Sequence, residues 1–232
     1  MISLIQNRNG IIGDSSYIKS LNSLESARIL VVSDSHGDYS VFRNIITRFG
    51  KTTDALVFCG DGASEIAGAV DEAAASAEFA ECVPGAVIFV RGNGDPGFIC
   101  TRERIRLPED TEAGYPERRL SIPPVQTAEI CGRRILVAHG HTMSIKYGTD
   151  LLLAEATAEN CGIAIFGHSH IPENRTERGV TLMNPGSCSL PRGGFPPSFA
   201  IMTIGRGILD TSFIRITRKS GGTEFSLFTP PL

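Results

Sequence analysis

A chain of 232 residues with a formal net charge of −3, one residue in five being charged, is long enough to bury an ample core, as one large α/β domain or two small ones. That balance gives no global field to draw in nucleic acid or an acidic membrane. No apolar run approaches the roughly 18 residues of a membrane span, and residues 1–20 lack a basic stretch followed by an apolar one, so no signal peptide is read.

Residues 1–27 read as an N-terminal extension. The six cysteines (Cys59, Cys82, Cys100, Cys131, Cys161, Cys188) are spread out with no CxxC pair. That spacing suits reduced, packing residues and a cytoplasmic protein.

The first strand signal is "ARILVVSD" (27–34), aliphatic on both faces and suited to the middle of a sheet. "DYSVFRNIITRFG" (38–50) follows as a helix with Val41, Phe42, Ile45, Ile46 and Phe49 on one face and Gly50 as its stop. "DALVFCGDG" (54–62) is a second buried strand, and the Ala-rich 63–83 segment is a helix ended by Pro84-Gly85. "AVIFVRGNGD" (86–95) is a third strand. After the irregular, arginine-rich segment 101–124 come "VQTAEI" and "RRILVAHGH", a hairpin turning at Cys131-Gly132. "TDLLLAEATAEN" (149–160) is a helix capped by Thr149, and "GIAIFGHSH" (162–170) is the next strand. "GVTLMNPGS", "SFAIMTI" and "ILDTSFIRIT" supply three more strands without helices between them. Helices interleave with strands early and strands dominate late, which predicts two packed sheets with helices outside, in one domain.

The polar residues fall in register on this map. Asp34 and His36 follow the first strand, Asp61 the second, and Asn93 and Asp95 the third. His139 and His141 follow "RRILVA", and His168 and His170 follow "GIAIF", so every histidine of the chain sits just past a strand end. Strand ends of an α/β sheet gather at one edge, where such folds build their sites. Four imidazoles, two carboxylates and a carboxamide exceed what one tetrahedral zinc needs and suit two divalent ions. The glycines of "GDG", "GNGD", "HGH" and "GH" let the turns pack tightly.

The ordered set "DSH" (34–36), "GDG" (60–62), "GNGD" (92–95), "HGH" (139–141) and "GHSH" (167–170), with "NPGSCSLPRGG" (184–194), closely resembles the calcineurin-like metallophosphoesterase superfamily and its small YfcE-type phosphodiesterase subgroup. The resemblance spans about residues 28–217. It implies a four-layer α/β/β/α sandwich of two mixed sheets flanked by helices, with 101–124 as an insertion loop and 218–232 as a C-terminal tail. By motif position it implies that Asp34, His36, Asp61 and His170 hold a first metal and Asp61, Asn93, His139 and His168 a second, with Asp61 bridging. Manganese is favoured by the resemblance, and Fe, Zn, Ni or Mg also suit such donors. His141 and Asp95 are the implied catalytic or outer residues, and Asn93, His141, Asn184, Ser187 and Arg192 the implied substrate contacts.

The expected activity is hydrolysis of a small phosphodiester by a hydroxide bridging the two metals. Phosphomonoesterase or nucleotide pyrophosphatase action and a non-catalytic scaffold are the alternatives. The expected partner is a small-molecule phosphoester rather than nucleic acid or membrane, and a homo-oligomer is left open. Gly94 stands where related phosphatases carry a proton-donating histidine, which leaves His141 or metal-bound water as the acid. Arg102, Arg104, Arg106, Arg118 and Arg119 are read either as a solvated loop paired with its own acids or as a flap that grips phosphate.

Overall fold

Residues 5–102 and 117–230 are described by the computed structural model of the chain. The N-terminal segment is tied down early. Strand β1 (Ile12–Gly13) pairs antiparallel with Ala86 and Val87, and Asp14 caps helix α1 (Ser15–Ser20) by accepting the amides of Ser16 and Tyr17. Alternate side chains of a strand point to opposite faces. In β2 (Ser26–Val32), Ile29 and Val31 therefore enter one apolar core while Leu30 and Val32 enter another.

Helix α2 (Tyr39–Phe49) starts at Asp38, whose carboxylate takes the Val41 amide, and buries Val41, Phe42, Ile45 and Ile46. Burying side chains of this size contributes about 1.5–3 kcal/mol each, which outweighs the modest propensity of a β-branched helix face. Strand β3 (Ala55–Phe58) runs parallel to β2. The Ala-rich segment is two helices rather than one, α3 (Ala63–Ala75) and α4 (Ala77–Ala80). Ser76 breaks it with extended backbone (φ −128°, ψ 113°) and caps the second helix through the Phe79 amide. A serine competes with the helix for its own backbone, and a run of alanines offers little packing to resist that.

Strand β4 (Ala86–Phe89) is parallel to β3. The ends of the arginine-rich segment form an antiparallel pair, β5 (Phe98–Arg102) with β6 (Glu117–Ser121). Arg104, Arg106 and the Arg102 side chain lie outside the described residues, while the Arg119 guanidinium stacks 3.5 Å above the Phe98 ring. Strands β7 (Val125–Ile130) and β8 (Arg133–Ala138) form the expected hairpin, with Cys131 and Gly132 both at positive φ in its turn. Helix α5 (Asp150–Ala158) begins at Thr149, but that hydroxyl donates to Glu177 instead of capping an amide.

Strand β9 (Ile163–Phe166) is parallel to β8. Strand β10 (Pro172–Glu177), which sequence reading misses, lies at a sheet edge and pairs with β11 (Val180–Pro185) through a turn at Arg178-Gly179. Strands β12 (Ser198–Gly205) and β13 (Ile208–Lys219) complete the expected run. Where the sequence suggests a tail, residues 222–228 form a further strand, β14 (Gly222–Phe228). Phe225 anchors it, packing 5.1 Å from Phe49 and 5.7 Å from Phe199 between ring centroids.

The first sheet runs β1-β4-β3-β2-β12-β13-β14 and the second β10-β11-β9-β8-β7. Ile29, Val31, Val57 and Ile88 of the first meet Ile135, Val137, Ile163 and Ile165 of the second in the central core. Helices α2, α3 and α4 cover the outer face of the first sheet, and α5 covers that of the second. This is the four-layer α/β/β/α sandwich. Among the described residues no helix is long and apolar enough to cross a membrane.

Candidate metal centre

The carboxyl ends of β2, β3 and β4 in one sheet and of β8 and β9 in the other open on a common edge, and their turns are bonded to each other. The Asp34 amide donates to Gly60 O (3.0 Å), the His36 amide to Asp61 O (3.0 Å), and the Gly167 amide to His139 O (3.1 Å). The His168 amide reaches between the sheets to Asp34 Oδ2 (3.0 Å). Asp34, His36, Asp61, His168 and His170 all hold φ between 46° and 66°, a left-handed conformation that a non-glycine residue adopts at a cost of about 1–3 kcal/mol. Five of the six predicted aspartate and histidine ligands are thus strained in the same way, which turns each side chain inward directly after its strand or loop.

Two glycines make the approach possible. A Cβ on Gly92 would lie 2.0 Å from Asp61 Oδ1, and one on Gly167 would lie 2.1 Å from Ser33 Oγ and 2.7 Å from Asp34 Oδ2. No side chain fits at either position without moving a carboxylate.

The side chains converge. His170 Nε2 lies 3.1 Å from Asp34 Oδ1 and 3.1 Å from His36 Nε2. His36 Nε2 is 3.8 Å from Asp34 Oδ1 and 3.9 Å from Asp61 Oδ2. His139 Nε2 sits 3.5 Å from Asp61 Oδ2, 3.3 Å from Asn93 Oδ1 and 3.2 Å from His168 Nδ1. Asp61 Oδ2 therefore faces both histidine groups. Asp34 Oδ1 is also central, since it lies 3.9 Å from His139 Nε2 as well. The groups within reach of a common cation are Asp34, His36 and His170 on one side and Asp34, Asp61 and His139 on the other.

Several features show that the cluster fits a cation. Asp34 Oδ1 is buried with no hydrogen-bond partner, although an unpartnered buried carboxylate oxygen is costly. His139 Nδ1 donates to Cys59 O (2.7 Å) and His170 Nδ1 to Leu190 O (2.5 Å), which leaves both Nε2 lone pairs aimed at the carboxylates. Burial works to lower the pKa of His139, yet the carboxylates of Asp61 and Asp34 beside it raise it. Burial works to raise that of Asp61, yet its bonds to His139 and the Gly94 amide hold it well below the usual carboxylate range. His168, desolvated and beside His139, falls to about 4 and is a neutral donor at pH 7. Burial pushes the Cys59 and Cys188 thiols well up, so neither offers a thiolate here.

The remaining predicted residues divide. His141 is at hand, its ring 5.3 Å from that of His139 and 6.2 Å from that of His168, with Nδ1 buried and unpartnered. Asp95 is not free to act on a substrate. Its carboxylate accepts four amides, those of Asp61 (2.7 Å), Gly62, Ala63 and Gly92 (2.9 Å each), and so holds the Asp61 turn at the start of α3. Asn184 and Ser187, expected at the substrate, are fully buried and committed elsewhere. Asn184 donates to Gly167 O (2.9 Å) and Ser169 Oγ (3.0 Å) and accepts the Gly186 amide, while Ser187 donates to Asp34 O (2.7 Å). They brace the turns that carry His168 and Asp34. Arg192 alone of that loop's predicted contacts stays exposed, with Nη1 3.4 Å from His168 O.

Sequence reasoning also misses Glu65. Buried one turn into α3, it accepts the Gly37 amide (2.6 Å) and the Ser64 hydroxyl (2.5 Å), pinning the loop that carries His36. Its only signal is its place three residues after "GDG".

The sequence model for the calcineurin-like phosphoesterase superfamily domain matches residues 28–207. The chain is similar to the probable metallophosphoesterase YsnB of Bacillus subtilis, with 32% identity over 195 residues that cover 83% of this chain and 92% of that protein. It is similar to phosphodiesterase YfcE of Escherichia coli, with 27% identity over 183 residues covering 75% and 86%. Its fold is similar to that of a conserved uncharacterized protein of Streptococcus pneumoniae, a predicted phosphoesterase, with a TM-score of 0.59 and 24% identity over 88% of this chain and 99% of that one.

Proposed function

The chain belongs to the calcineurin-like phosphoesterase superfamily, and from that premise we propose that it is a dinuclear metal-dependent phosphodiesterase acting on a small soluble phosphodiester. Membership, with its phosphodiesterase-named relatives, makes it a phosphoesterase hydrolase. The observation that carries the metal-dependent reading is the orphaned, buried Oδ1 of Asp34 amid histidine nitrogens whose tautomers leave lone pairs turned toward it.

Asp34, His36, Asp61 and His170 would hold one ion and Asp61, Asn93, His139 and His168 the other, with manganese the favoured metal. Such a pair, when bound, supplies a hydroxide at neutral pH and offsets charge on the phosphoryl oxygens. Cys59 O and Leu190 O hold His139 and His170 in the ligating tautomer. Asp95 fixes the Asp61 turn, and Arg192 stands at the rim to meet phosphate. Gly94 brings no proton donor, which favours diesters with good leaving groups over monoesters. The six free cysteines are in keeping with the cytoplasm.

Protein dialysed against manganese should carry two ions per chain by elemental analysis and hydrolyse bis(p-nitrophenyl) phosphate, and a chelator should remove both properties. One ion per chain, or turnover that survives chelation, would overturn the reading.

Glu65 gives a more local test. Glu65→Ala frees the His36 loop and should weaken manganese binding by roughly 10–100-fold, the range of an outer-shell loss. Glu65→Gln keeps an acceptor for the Gly37 amide and should restore most of the affinity. Titration calorimetry on metal-free protein reads both. Equal affinity in all three proteins would remove Glu65 from the positioning scheme.

A further inference from the structure

Asp34 is held at every polar atom except one. Its amide donates to Gly60 O (3.0 Å), and its carbonyl accepts the hydroxyls of Ser187 (2.7 Å) and Ser189 (3.1 Å). Of its two carboxylate oxygens, Oδ2 takes the Ser33 hydroxyl at 2.5 Å and the His168 amide at 3.0 Å. A carboxylate oxygen has two lone-pair directions, so these two donors saturate Oδ2. Oδ1 is buried with no hydrogen-bond partner and faces His170 Nε2 at 3.1 Å. The two oxygens of one carboxylate thus have opposite environments.

The two donors come from both sheets. Ser33 follows the last residue of β2 and is fully buried, and a buried hydroxyl needs a partner. His168 follows β9, and the Gly167 before it leaves room for this contact, since a Cβ there would lie 2.1 Å from Ser33 Oγ. Oδ2 cannot turn to an ion without giving up both bonds, so Asp34 is a one-oxygen ligand. Asp61 is held less fully, with the Gly94 amide (2.7 Å) on Oδ1 and Oδ2 left facing His139 and His36.

That difference bears on which ion the centre accepts. Calcium gathers about 6–8 oxygens and commonly takes carboxylates through both of theirs. First-row ions such as manganese, iron and zinc do with fewer ligands, and many of them take imidazole readily. Resting on the metal-centre reading above, we propose that Ser33 is a positioning residue for metal choice. Together with the His168 amide it saturates Asp34 Oδ2, restricts Asp34 to one oxygen and turns the centre against calcium in favour of first-row ions.

Titration calorimetry on metal-free protein, with manganese and calcium titrated separately, tests this without turnover. Ser33→Ala should lower the ratio of manganese to calcium affinity by about 10-fold or more, as manganese loses an oriented ligand and calcium gains a second oxygen. Ser33→Thr keeps a hydroxyl on a side chain suited to a strand end and should hold the ratio within about 3-fold of wild type. Ser187→Ala is the control. It removes a hydrogen bond from the same residue, but at the Asp34 carbonyl, so it should weaken both ions together and leave the ratio unchanged. An unchanged ratio in Ser33→Ala would overturn the proposal, as would an equal fall in Ser187→Ala or a Ser33→Thr protein that tracks Ser33→Ala. Wild-type protein that binds neither ion would instead strike the metal-centre reading itself, so the two failures are separable.

Discussion

Asp61→Asn should lower bis(p-nitrophenyl) phosphate turnover by more than about 100-fold and take bound metal with it, whereas Asp95→Asn should cost about 10–100-fold at near-normal metal content. Asp61 Oδ2 faces His139 at 3.5 Å and His36 at 3.9 Å, so one charge serves both histidine groups. The hydrogen bonds that hold its pKa low keep that charge in place at every pH where the protein would work. An asparagine fills the same space but gives up the shared charge, and the repulsion between two cations is left uncompensated. Asp95 meets four amides and no ligand nitrogen. Its amide replacement would turn an NH2 toward amide N–H groups and cost about 1–3 kcal/mol of stability, with activity falling because the Asp61 turn loosens. Asp34→Asn supplies the control: if Asp34 rather than Asp61 is the shared ligand, it is the variant that loses both ions. Equal activity losses in the Asp61 and Asp95 variants, at unchanged metal content, would refute the bridge.

The convergence of most of the candidate ligands was legible in the sequence because five of them depend on one local rule. A buried parallel strand reads as an apolar run, the polar residue that follows it lies at the sheet edge, and Asp34, Asp61, Asn93, His139 and His168 all follow such runs. What was not legible is where a polar group spends its hydrogen bonds. Asn184 and Ser187 offer the donors a phosphate would want, but their partners are the carbonyls of Gly167 and Asp34, far away in sequence. Asp95 sits beside Asn93 in the chain and yet serves the amides of another turn. Edge strands were missed for a related reason. β10 has one face and one edge in solvent, so "PENRTE" carries no apolar run, and β14 alternates in a sequence short enough to pass for a tail. The break at Ser76 was hidden because a single extended residue leaves the helical period on either side intact.

Aryl diesters should react readily while simple alkyl diesters lag by about 100- to 10,000-fold beyond the difference set by metal-assisted attack alone, because a positioned acid is worth that much when the leaving group is a poor one. Gly94 is where the proton donor is missing. A Cβ built on it would lie 3.3 Å from Asp61 Oδ1, so any side chain there comes up against the Asp61 carboxylate. Gly94→His should narrow the gap between aryl and alkyl substrates, at the cost of shifting Asp61 by a few tenths of an ångström. His141 is the other source of a proton. Its burial pushes its pKa down, so the imidazolium that could donate is scarce at neutral pH and is restored as the pH falls. The ratio of alkyl to aryl turnover should therefore rise on acidification, even while both rates decline as the ligand histidines take up protons. His141→Ala should flatten that rise and spare aryl substrates. A uniform loss across the leaving-group series would make His141 a phosphate contact instead. A wild-type series with no dependence on leaving-group pKa would mean that an efficient acid is already in place, and the vacancy at Gly94 would have no kinetic consequence.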